Sequence, residues 1–277
     1  MDYNSLTTKG YLIIKSFLNA DEIKLLTDDF TQGGVPGSGV LYGRMSNNCF
    51  LAIGGKILNA IEQIKTQHVL DVDFIMPVRN TWIADPRPAG EYISTERVVY
   101  RWHQDYETYY VLQQNYNSLN FYIPLIKPNP ALSGLSIIPF DILEQSVPEY
   151  IDKIKNQGAT TYIPTDNITE VWNGNEGYHY TLPFNIDSIA ISPVLVPGDL
   201  LLLRGDVIHR TQDNQTIRTS VSIRATSGRS VINKDKIFSG GKLKKIKLAD
   251  NADYYAWLKT RFDLLGKDEV TPLELFN

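Results

Sequence analysis

This chain of 277 residues has little cysteine and a small net charge, and each of these features excludes a class of protein. A single cysteine, Cys49, excludes an internal disulfide bond and favours a reducing, cytoplasmic setting. The net charge of −4 gives no indication of a nucleic-acid-binding surface, and the one basic run, 242–247, is interpreted as a solvated strand or loop face. No apolar run approaches the roughly 20 residues that a membrane span needs, and no signal peptide is visible. We therefore expect a protein that binds neither nucleic acid nor membrane.

The hydrophobic pattern predicts helices early in the chain and short strands afterwards. A strand is predicted over 11–17, and Asn19 with Glu22 three residues later forms a capping-box pattern at the start of a helix. A second helix is predicted over 57–64. β-branched and aromatic runs then predict strands over 73–84, 91–103, 119–126, 134–139, 189–196, 200–203 and 216–226. This order is typical of a mainly β barrel or sandwich with flanking α-helices.

No linker divides the chain, so we expect one domain over 1–277 with a β core at about 73–226. The predicted additions are an insertion at 141–188, helical over 141–157 and irregular over 158–188, and a C-terminal extension at 227–277, helical over 254–265. A long irregular insertion in a β domain is often functional, and this one is interpreted as a lid.

His103 and Asp105, separated by Gln104, are the residues most indicative of function. On a strand, residues two apart point to the same face, so His103 and Asp105 project together while Gln104 points away. A neutral imidazole and a carboxylate side by side are suited to two adjacent positions on one metal. Two histidines with one carboxylate form the facial triad of non-haem Fe(II) oxygenases, which leaves positions open for other ligands.

A third ligand must come from one of the other three histidines. His68 lies at the end of a predicted helix, and His179 lies in the irregular insertion. His209 ends an apolar strand that follows a Pro-Gly-Asp turn, where a ligand at the mouth of a barrel is expected. We favour His209, with His179 as the alternative.

Arg218 is the candidate clamp for a carboxylate ligand. Residues 211–216 resemble a hairpin connection centred on Asp213-Asn214, and symmetry about that pair predicts that Arg218 stands opposite His209 on the same sheet. A guanidinium binds a carboxylate with two parallel hydrogen bonds. Arg224 is the reserve candidate, although six extended residues put it about 20 Å further along the strand.

These motifs together resemble the phytanoyl-CoA dioxygenase-like family of Fe(II)/2-oxoglutarate-dependent oxygenases over about residues 8–226. The opening strand and helix, the Trp-His-Gln-Asp segment at 102–105 and the Ser-Gly-Leu-Ser-Ile-Ile-Pro segment at 133–139 are similar to its motifs. So is the Pro-Gly-Asp-Leu-Leu-Leu-Leu segment at 197–203, followed by His209, Asn214 and Arg218.

The resemblance implies a double-stranded β-helix (jelly-roll) core and a hydroxylation that consumes O2. It implies Fe(II) held by His103, Asp105 and His209, with 2-oxoglutarate chelated to the metal and its distal carboxylate on Arg218. An unactivated C–H bond of a small molecule is then hydroxylated, with release of succinate and CO2. Desaturation, cyclisation or epimerisation by an iron enzyme of this fold remains an alternative, as does a β-helix protein that binds a ligand without catalysis.

Further residues are candidates for the rest of the pocket. Asn120 and Tyr122 alternate on one predicted strand and are positioned to reach 2-oxoglutarate or substrate, or to form core hydrogen bonds. Tyr106 and Tyr110 follow the His-x-Asp motif, while Trp82 and Arg101 are weaker candidates for substrate contact. The sequence does not indicate the identity of the substrate or the oligomeric state.

Overall fold

The structure is a computed structural model that describes residues 2–33, 40–77, 90–95, 99–113, 117–213 and 215–276. Its strands are β1 (Tyr11–Ile14), β2 (Val40–Arg44), β3 (Phe74–Ile75), β4 (Glu91–Thr95), β5 (His103–Gln104), β6 (Ser118–Ile126), β7 (Leu135–Ile138), β8 (Thr160–Pro164), β9 (Thr169–Asn173), β10 (His179–Leu182), β11 (Leu200–Arg204), β12 (Ile208–Thr211), β13 (Arg218–Thr226), β14 (Ile232–Asn233) and β15 (Glu269–Val270).

The helices alternate with the strands along the chain. They are α1 (Ser5–Thr8), α2 (Ala20–Gly33), α3 (Asn47–Thr66), α4 (Glu107–Leu112), α5 (Phe140–Ser146), α6 (Ile151–Ile154), α7 (Lys234–Phe238), α8 (Lys242–Asp250), α9 (Ala252–Leu265) and α10 (Pro272–Phe276). None of the helices in the described ranges is long and apolar enough to cross a membrane.

The larger sheet is antiparallel and has the strand order β1-β11-β6-β13-β4-β2, with β3 beside the far end of β13. Alternate residues of its long central strands are apolar and face outward, such as Phe121 and Ile123 on β6 and Ile223 on β13. They pack against α2 and α3 through Leu26 and Ile57, among other residues. Burial of this face stabilises the fold by about 25 cal/mol per Å² of apolar surface removed from water.

The smaller sheet has the order β10-β9-β8-β5-β12-β7 and lies over the inner face of the larger one. Its outer face packs on α5 and α6 through Tyr162, Val171 and Ile208. Between the sheets, one end is filled by an apolar cluster that includes Leu201, Leu203 and the residues around β7. The other end carries polar side chains and encloses a cavity. Two antiparallel sheets closed around such an interior form a double-stranded β-helix with flanking helices.

The C-terminal helices form a second buried cluster, which we call the C-terminal cluster: Leu258 and Phe262 of α9 and Phe276 of α10 pack with Tyr109–Leu112 of α4 and with Phe74 of β3. The extension therefore packs directly on the helix that follows the His-x-Asp motif, and it supplies one wall of the cavity.

Several sequence predictions are confirmed at the level of single elements. Asn19 and Glu22 form the predicted capping box, with the Glu22 amide 2.9 Å from Asn19 Oδ1 and the Asn19 amide 2.7 Å from Glu22 Oε2. The predicted strands at 119–126, 134–139, 200–203 and 216–226 correspond to β6, β7, β11 and β13, and the predicted tail helix corresponds to α9.

Other predictions of local structure are wrong or incomplete. Residues 189–196 contain no strand, and a single bridge joins Ile191 to Ile137. The basic run at 242–247 lies in α8, where Lys244 is buried rather than solvated. Residues 160–182, predicted to be irregular, form three strands that extend the smaller sheet. A lid role for 141–188 stays a prediction, as does the single-domain division.

Candidate metal centre

The cavity has a volume of about 510 Å³ and is lined from three sides. The larger sheet contributes side chains of β4, β6 and β13, the smaller sheet contributes those of β5, β8 and β12, and the C-terminal helices close the third side. A volume of this size is in the range of sites for small organic ligands. The cavity is therefore where the sequence-predicted residues have to be sought.

His103, Asp105 and His209 lie together at the wall formed by the smaller sheet. One ligand atom from each lies within 4.8 Å of the other two. The Asp105 Oδ1 atom is 3.9 Å from His103 Nε2 and 3.7 Å from His209 Nε2. Two protein ligands at about 2.1 Å from one ion lie roughly 3.0–3.5 Å apart, so small side-chain adjustments would bring all three onto a metal. The donor set and its spacing fit a divalent metal ion.

The strand register explains why the two histidines meet. His103 on β5 pairs directly with His209 on β12, so both imidazoles project from the same face of the sheet, with ring centroids 4.3 Å apart. Asp105 follows β5 by one residue and lines the cavity, whereas Gln104 is fully buried on the opposite face. The predicted alternation of this motif is confirmed. His179 lies on β10 at the far edge of the sheet, away from this cluster.

Each histidine is oriented by a backbone carbonyl group. His103 Nδ1 is 2.7 Å from the Arg101 carbonyl oxygen, and His209 Nδ1 is 2.9 Å from the Val207 carbonyl oxygen. A carbonyl oxygen can only accept, so each Nδ1 carries the proton and each Nε2 presents its lone pair to the cavity. This is the arrangement that supports a histidine as a metal ligand.

A buried polar network behind the triad holds these strands in place. Gln104 donates to the carbonyl oxygens of Ile154 and Asp206 at 2.8 and 2.7 Å and accepts from the Tyr162 hydroxyl. The Asp206 carboxylate receives two hydrogen bonds from the Arg204 guanidinium, at 2.9 and 2.6 Å. Since every member is satisfied, the network fixes β5 against the turn before β12. Sequence analysis did not identify it.

Arg218 lies at the start of β13 and lines the cavity while only 6% exposed. Its guanidinium donates to four uncharged oxygens: Thr95 Oγ1 at 2.9 Å, Thr211 Oγ1 at 3.2 Å and the carbonyl oxygens of Ser133 and Gly134. Within the described ranges, no carboxylate lies within ion-pair distance of Arg218. A buried cation held in this way is ready to bind an anion.

The connection between β12 and β13 differs from the predicted hairpin. β12 pairs with β5 and β7, whereas β13 pairs with β3, β4 and β6, so Arg218 lies in the opposite sheet from His209. Asp213 anchors this connection, because its carboxylate accepts from the Ser133 amide and hydroxyl and from the Gln215 amide. Burial raises the pKa of Asp213, but these hydrogen bonds outweigh it and the net shift is downward.

Lys127 is a second cation near this loop. It is buried, and its ammonium donates to the Pro130 carbonyl oxygen at 2.9 Å. Burial, and then the positive charge of Arg218, lower the pKa of Lys127 to about 8. Lys127 and Arg218 thus hold carbonyl groups of the same loop, which ends at Gly134.

Arg224 lies on the same face of β13 and also lines the cavity, but in a different electrostatic setting. It forms an ion pair with Glu91, with Nη1 3.4 Å from Oε2. Asn120 lies opposite Arg224 on β6, and its Oδ1 accepts from the Ser222 hydroxyl at 2.8 Å. The charge of Arg224 is therefore balanced within the protein, in contrast to that of Arg218.

The other predicted pocket residues divide into three groups. Tyr122, Tyr106 and Arg101 line the cavity. The Tyr122 hydroxyl is buried and has no hydrogen-bond partner among the described residues. Tyr110 lies instead in the C-terminal cluster, outside the lining of the cavity, because α4 turns it inward. Trp82 lies outside the described residues.

Sequence analysis missed the residues that complete the cavity. Glu91 and Ile93 come from β4, and Leu243, Tyr254 and Phe276 come from the C-terminal helices. The alternation along β4 was a usable signal for Glu91 and Ile93, which lie two residues apart. Nothing local in the sequence indicates that residues as far along the chain as 243, 254 and 276 return to cover the motif at 103–105.

Comparison with known proteins gives remote structural likenesses alone. No family model matches the chain, and no curated protein matches it. The epimerase SnoN from nogalamycin biosynthesis is 13% identical, with 82% of each chain covered and a TM-score of 0.49. HygX from Streptomyces hygroscopicus, with nickel, 2-oxoglutarate and hygromycin B bound, is 11% identical, with 82% of this chain and 87% of that chain covered and a TM-score of 0.49. A Pseudomonas putida prolyl-4-hydroxylase is 14% identical, with 80% and 95% covered and a TM-score of 0.46. The identities are low, and the site is interpreted from its own residues.

Proposed function

We propose that this protein is an Fe(II)- and 2-oxoglutarate-dependent oxygenase that hydroxylates an unactivated C–H bond of a small molecule. The observation that carries the proposal is the joint presence, in one cavity, of a two-histidine, one-carboxylate cluster and a buried arginine whose hydrogen-bond partners among the described residues are all uncharged. The cluster is suited to the metal, and the arginine is suited to a dicarboxylate bound beside it.

His103, Asp105 and His209 would hold the iron. Their side chains are 22%, 21% and 12% exposed, so the cluster is open to the cavity and closed behind. The carbonyl groups of Arg101 and Val207 fix both imidazoles with Nε2 toward the metal position. When bound, the iron, together with 2-oxoglutarate and O2, supplies the oxidising power for attack on a C–H bond, with release of succinate and CO2.

Arg218 would bind the distal carboxylate of 2-oxoglutarate. Thr211 accepts a hydrogen bond from Arg218 and lies two residues after His209 on β12, which ties the guanidinium to the strand of the third metal ligand. Arg224 is disfavoured as the clamp because Glu91 already balances its charge. Asn120 and Tyr122 would contact 2-oxoglutarate or substrate from β6, and Tyr106 and Arg101 would border the substrate.

The test is anaerobic addition of Fe(II) and then 2-oxoglutarate to metal-free protein, with detection of the visible charge-transfer band of the chelate. His103→Ala should abolish the band. Arg218→Gln should raise the 2-oxoglutarate concentration needed by about a hundredfold, since charge-assisted hydrogen bonds contribute roughly 1.5–3 kcal/mol each.

Arg224→Gln is the matched control, because it removes a guanidinium from the same face of the same strand. It should leave the requirement for 2-oxoglutarate nearly unchanged. Tight iron binding without any band would contradict the 2-oxoglutarate assignment. A larger effect of Arg224→Gln than of Arg218→Gln would identify Arg224, and not Arg218, as the residue that binds the distal carboxylate.

A further inference from the structure

A row of side chains crosses the smaller sheet from the metal centre to its free edge. His209 pairs with His103, His103 with Thr161, Thr161 with Trp172, and Trp172 with His179. Directly paired residues of neighbouring antiparallel strands point to the same face. All five side chains therefore project from the inner face of the sheet, the face that bears the candidate metal ligands.

This face continues beyond the cavity. Thr161 still lines the cavity, and the Tyr106 hydroxyl is hydrogen-bonded to Thr161 Oγ1 at that point. Strands lie about 4.8 Å apart, so Trp172 is about 10 Å and His179 about 14 Å from the strand of His103. The row thus leads out of the cavity over about 14 Å, which is too far for 2-oxoglutarate to span. This distance suits the far part of a larger substrate.

The outer part of the row is an exposed aromatic platform, formed by Trp172 and His179. Trp172 is 45% exposed, and the rings of Trp172 and His179 lie with their centroids 4.2 Å apart and their planes tilted by 33°. The opposite face of the same strands is buried, as shown by Tyr162 and Val171. An indole left this exposed on an otherwise well-packed sheet is the type of residue that binds ligands.

The neighbours of the indole ring on this face are mixed: Ile163, which is 37% exposed, pairs with Glu170, and polar groups lie beside it. Glu170 Oε2 lies 3.4 Å from Trp172 Nε1, and Thr181 pairs with Glu170 on the same face. A ligand on this platform therefore meets a flat apolar ring bordered by a carboxylate, an imidazole and hydroxyl groups. A sugar ring has the matching chemistry, because its C–H face stacks on indole while its hydroxyl groups donate to a carboxylate and remain partly in water.

We propose that the Trp172–His179 platform binds a sugar ring of the substrate, so that the substrate is a glycosylated molecule whose reacting part enters the cavity. This inference rests on the proposed function for the identity of the reaction, but the binding itself does not. Continuity of the row with the cavity argues for the substrate, rather than a separate ligand, as the occupant.

The experiment is a titration of the metal-free 277-residue chain, monitored by tryptophan fluorescence and by saturation-transfer NMR. The probes are methyl glucoside, glucosamine and maltose, with adenosine as a planar aromatic comparison. Trp172→Ala should weaken sugar binding by about tenfold or more, while Trp172→Phe, which keeps a flat ring, should retain most of it. Trp257→Phe, in the C-terminal cluster, is the matched control and should leave binding unchanged.

Sugar binding that is equal in the wild type and Trp172→Ala would overturn the proposal, and so would binding of adenosine without any of the sugars. The Fe(II)/2-oxoglutarate band should be retained in Trp172→Ala. In the wild-type protein, the band without any sugar binding would be a failure of the platform alone. Sugar binding without the band would be a failure of the proposed function alone.

Discussion

Arg218 is positioned by oxygens that carry no charge. The Thr95 hydroxyl, the Thr211 hydroxyl and the carbonyls of Ser133 and Gly134 satisfy its N–H groups without neutralising it. A carboxylate in the same place would hold the side chain equally well but would compete with an anionic ligand. The positive charge thus remains for the ligand, while the desolvation cost is met by hydrogen bonds.

We expect Thr95→Val to weaken 2-oxoglutarate binding by several-fold and to destabilise the protein by about 1–3 kcal/mol, because the buried Nε of Arg218 loses its acceptor. Urea unfolding and titration of the iron chelate measure the two effects. Thr219→Val is the control, since it removes a buried hydrogen bond to Ser94 from the neighbouring residue of β13. It should reduce stability similarly without altering 2-oxoglutarate binding, and equal loss of binding in both variants would contradict the role of Thr95.

The positions of single site residues could be predicted from the sequence where they depend only on local geometry. His103 and Asp105 share a face because a strand alternates, and that holds whatever the rest of the fold. The location of Arg218 depends instead on the crossover at Asp213, whose carboxylate is engaged by Ser133, 80 residues earlier. A symmetric hairpin and a crossover between sheets have the same local turn residues, so the sequence did not distinguish them.

At the scale of secondary-structure elements, a residue of the Pro-Gly-Asp motif joins two strands. Asp199 belongs to the Pro-Gly-Asp turn before β11, and its buried carboxylate receives hydrogen bonds from Lys15 Nζ at 2.8 Å and from the amides of Ser16 and Val196 at 3.0 Å. It therefore fastens the end of β1 to the start of β11. Burial raises the pKa of Asp199, but the hydrogen bonds from Lys15 and the two amides lower it by a larger amount, so the net shift is downward.

We expect Asp199→Asn to destabilise the protein by about 1.5–3 kcal/mol near neutral pH. The pKa of Asp199 in the folded state lies below its ordinary value of 3.8, so the ionised carboxylate contributes its stability above that value and loses it as the pH falls through the folded pKa. The difference between wild type and variant should therefore shrink below about pH 4.

Urea unfolding of both proteins at a series of pH values measures this difference. Asp166→Asn, at an exposed position in the β8–β9 turn, is the control and should change stability little near neutral pH. A difference between wild type and Asp199→Asn that stays constant down to about pH 3 would contradict an ionised role for Asp199.

Element type was predictable where a pattern is long and consistent, as in β6, β11, β13 and α9. It was not predictable at 189–196, which is rich in apolar residues yet forms one bridge only. The prediction of a solvated strand or loop over 242–247 was also wrong. Lys244 of α8 is buried by contacts with the Asn175 side chain and the Tyr110 ring, which come from distant parts of the chain. Burial lowers the pKa of Lys244 to about 8, a consequence of the same tertiary contacts.

For the molecule as a whole, the C-terminal helices are part of the site. Leu243, Tyr254 and Phe276 wall the cavity, and α9 packs on α4, the helix that follows Asp105. Stability of the extension and integrity of the candidate metal centre should therefore be coupled. We propose that the chain unfolds as one cooperative unit, in agreement with the single domain expected from the sequence.

Leu258→Ala tests this coupling, because Leu258 is fully buried in the C-terminal cluster. The loss of a buried leucine side chain should cost about 2–5 kcal/mol of the free energy of unfolding. In a cooperative unit the whole unfolding transition moves to lower urea concentration, and far-UV circular dichroism and tryptophan fluorescence report the same midpoint. Leu264→Ala, on the same helix but 74% exposed, should change stability by less than about 0.5 kcal/mol. If Leu258→Ala instead split the transition in two, with the sheets unfolding at the wild-type midpoint, the extension would be an independent unit and its wall of the cavity would be able to open without unfolding of the core.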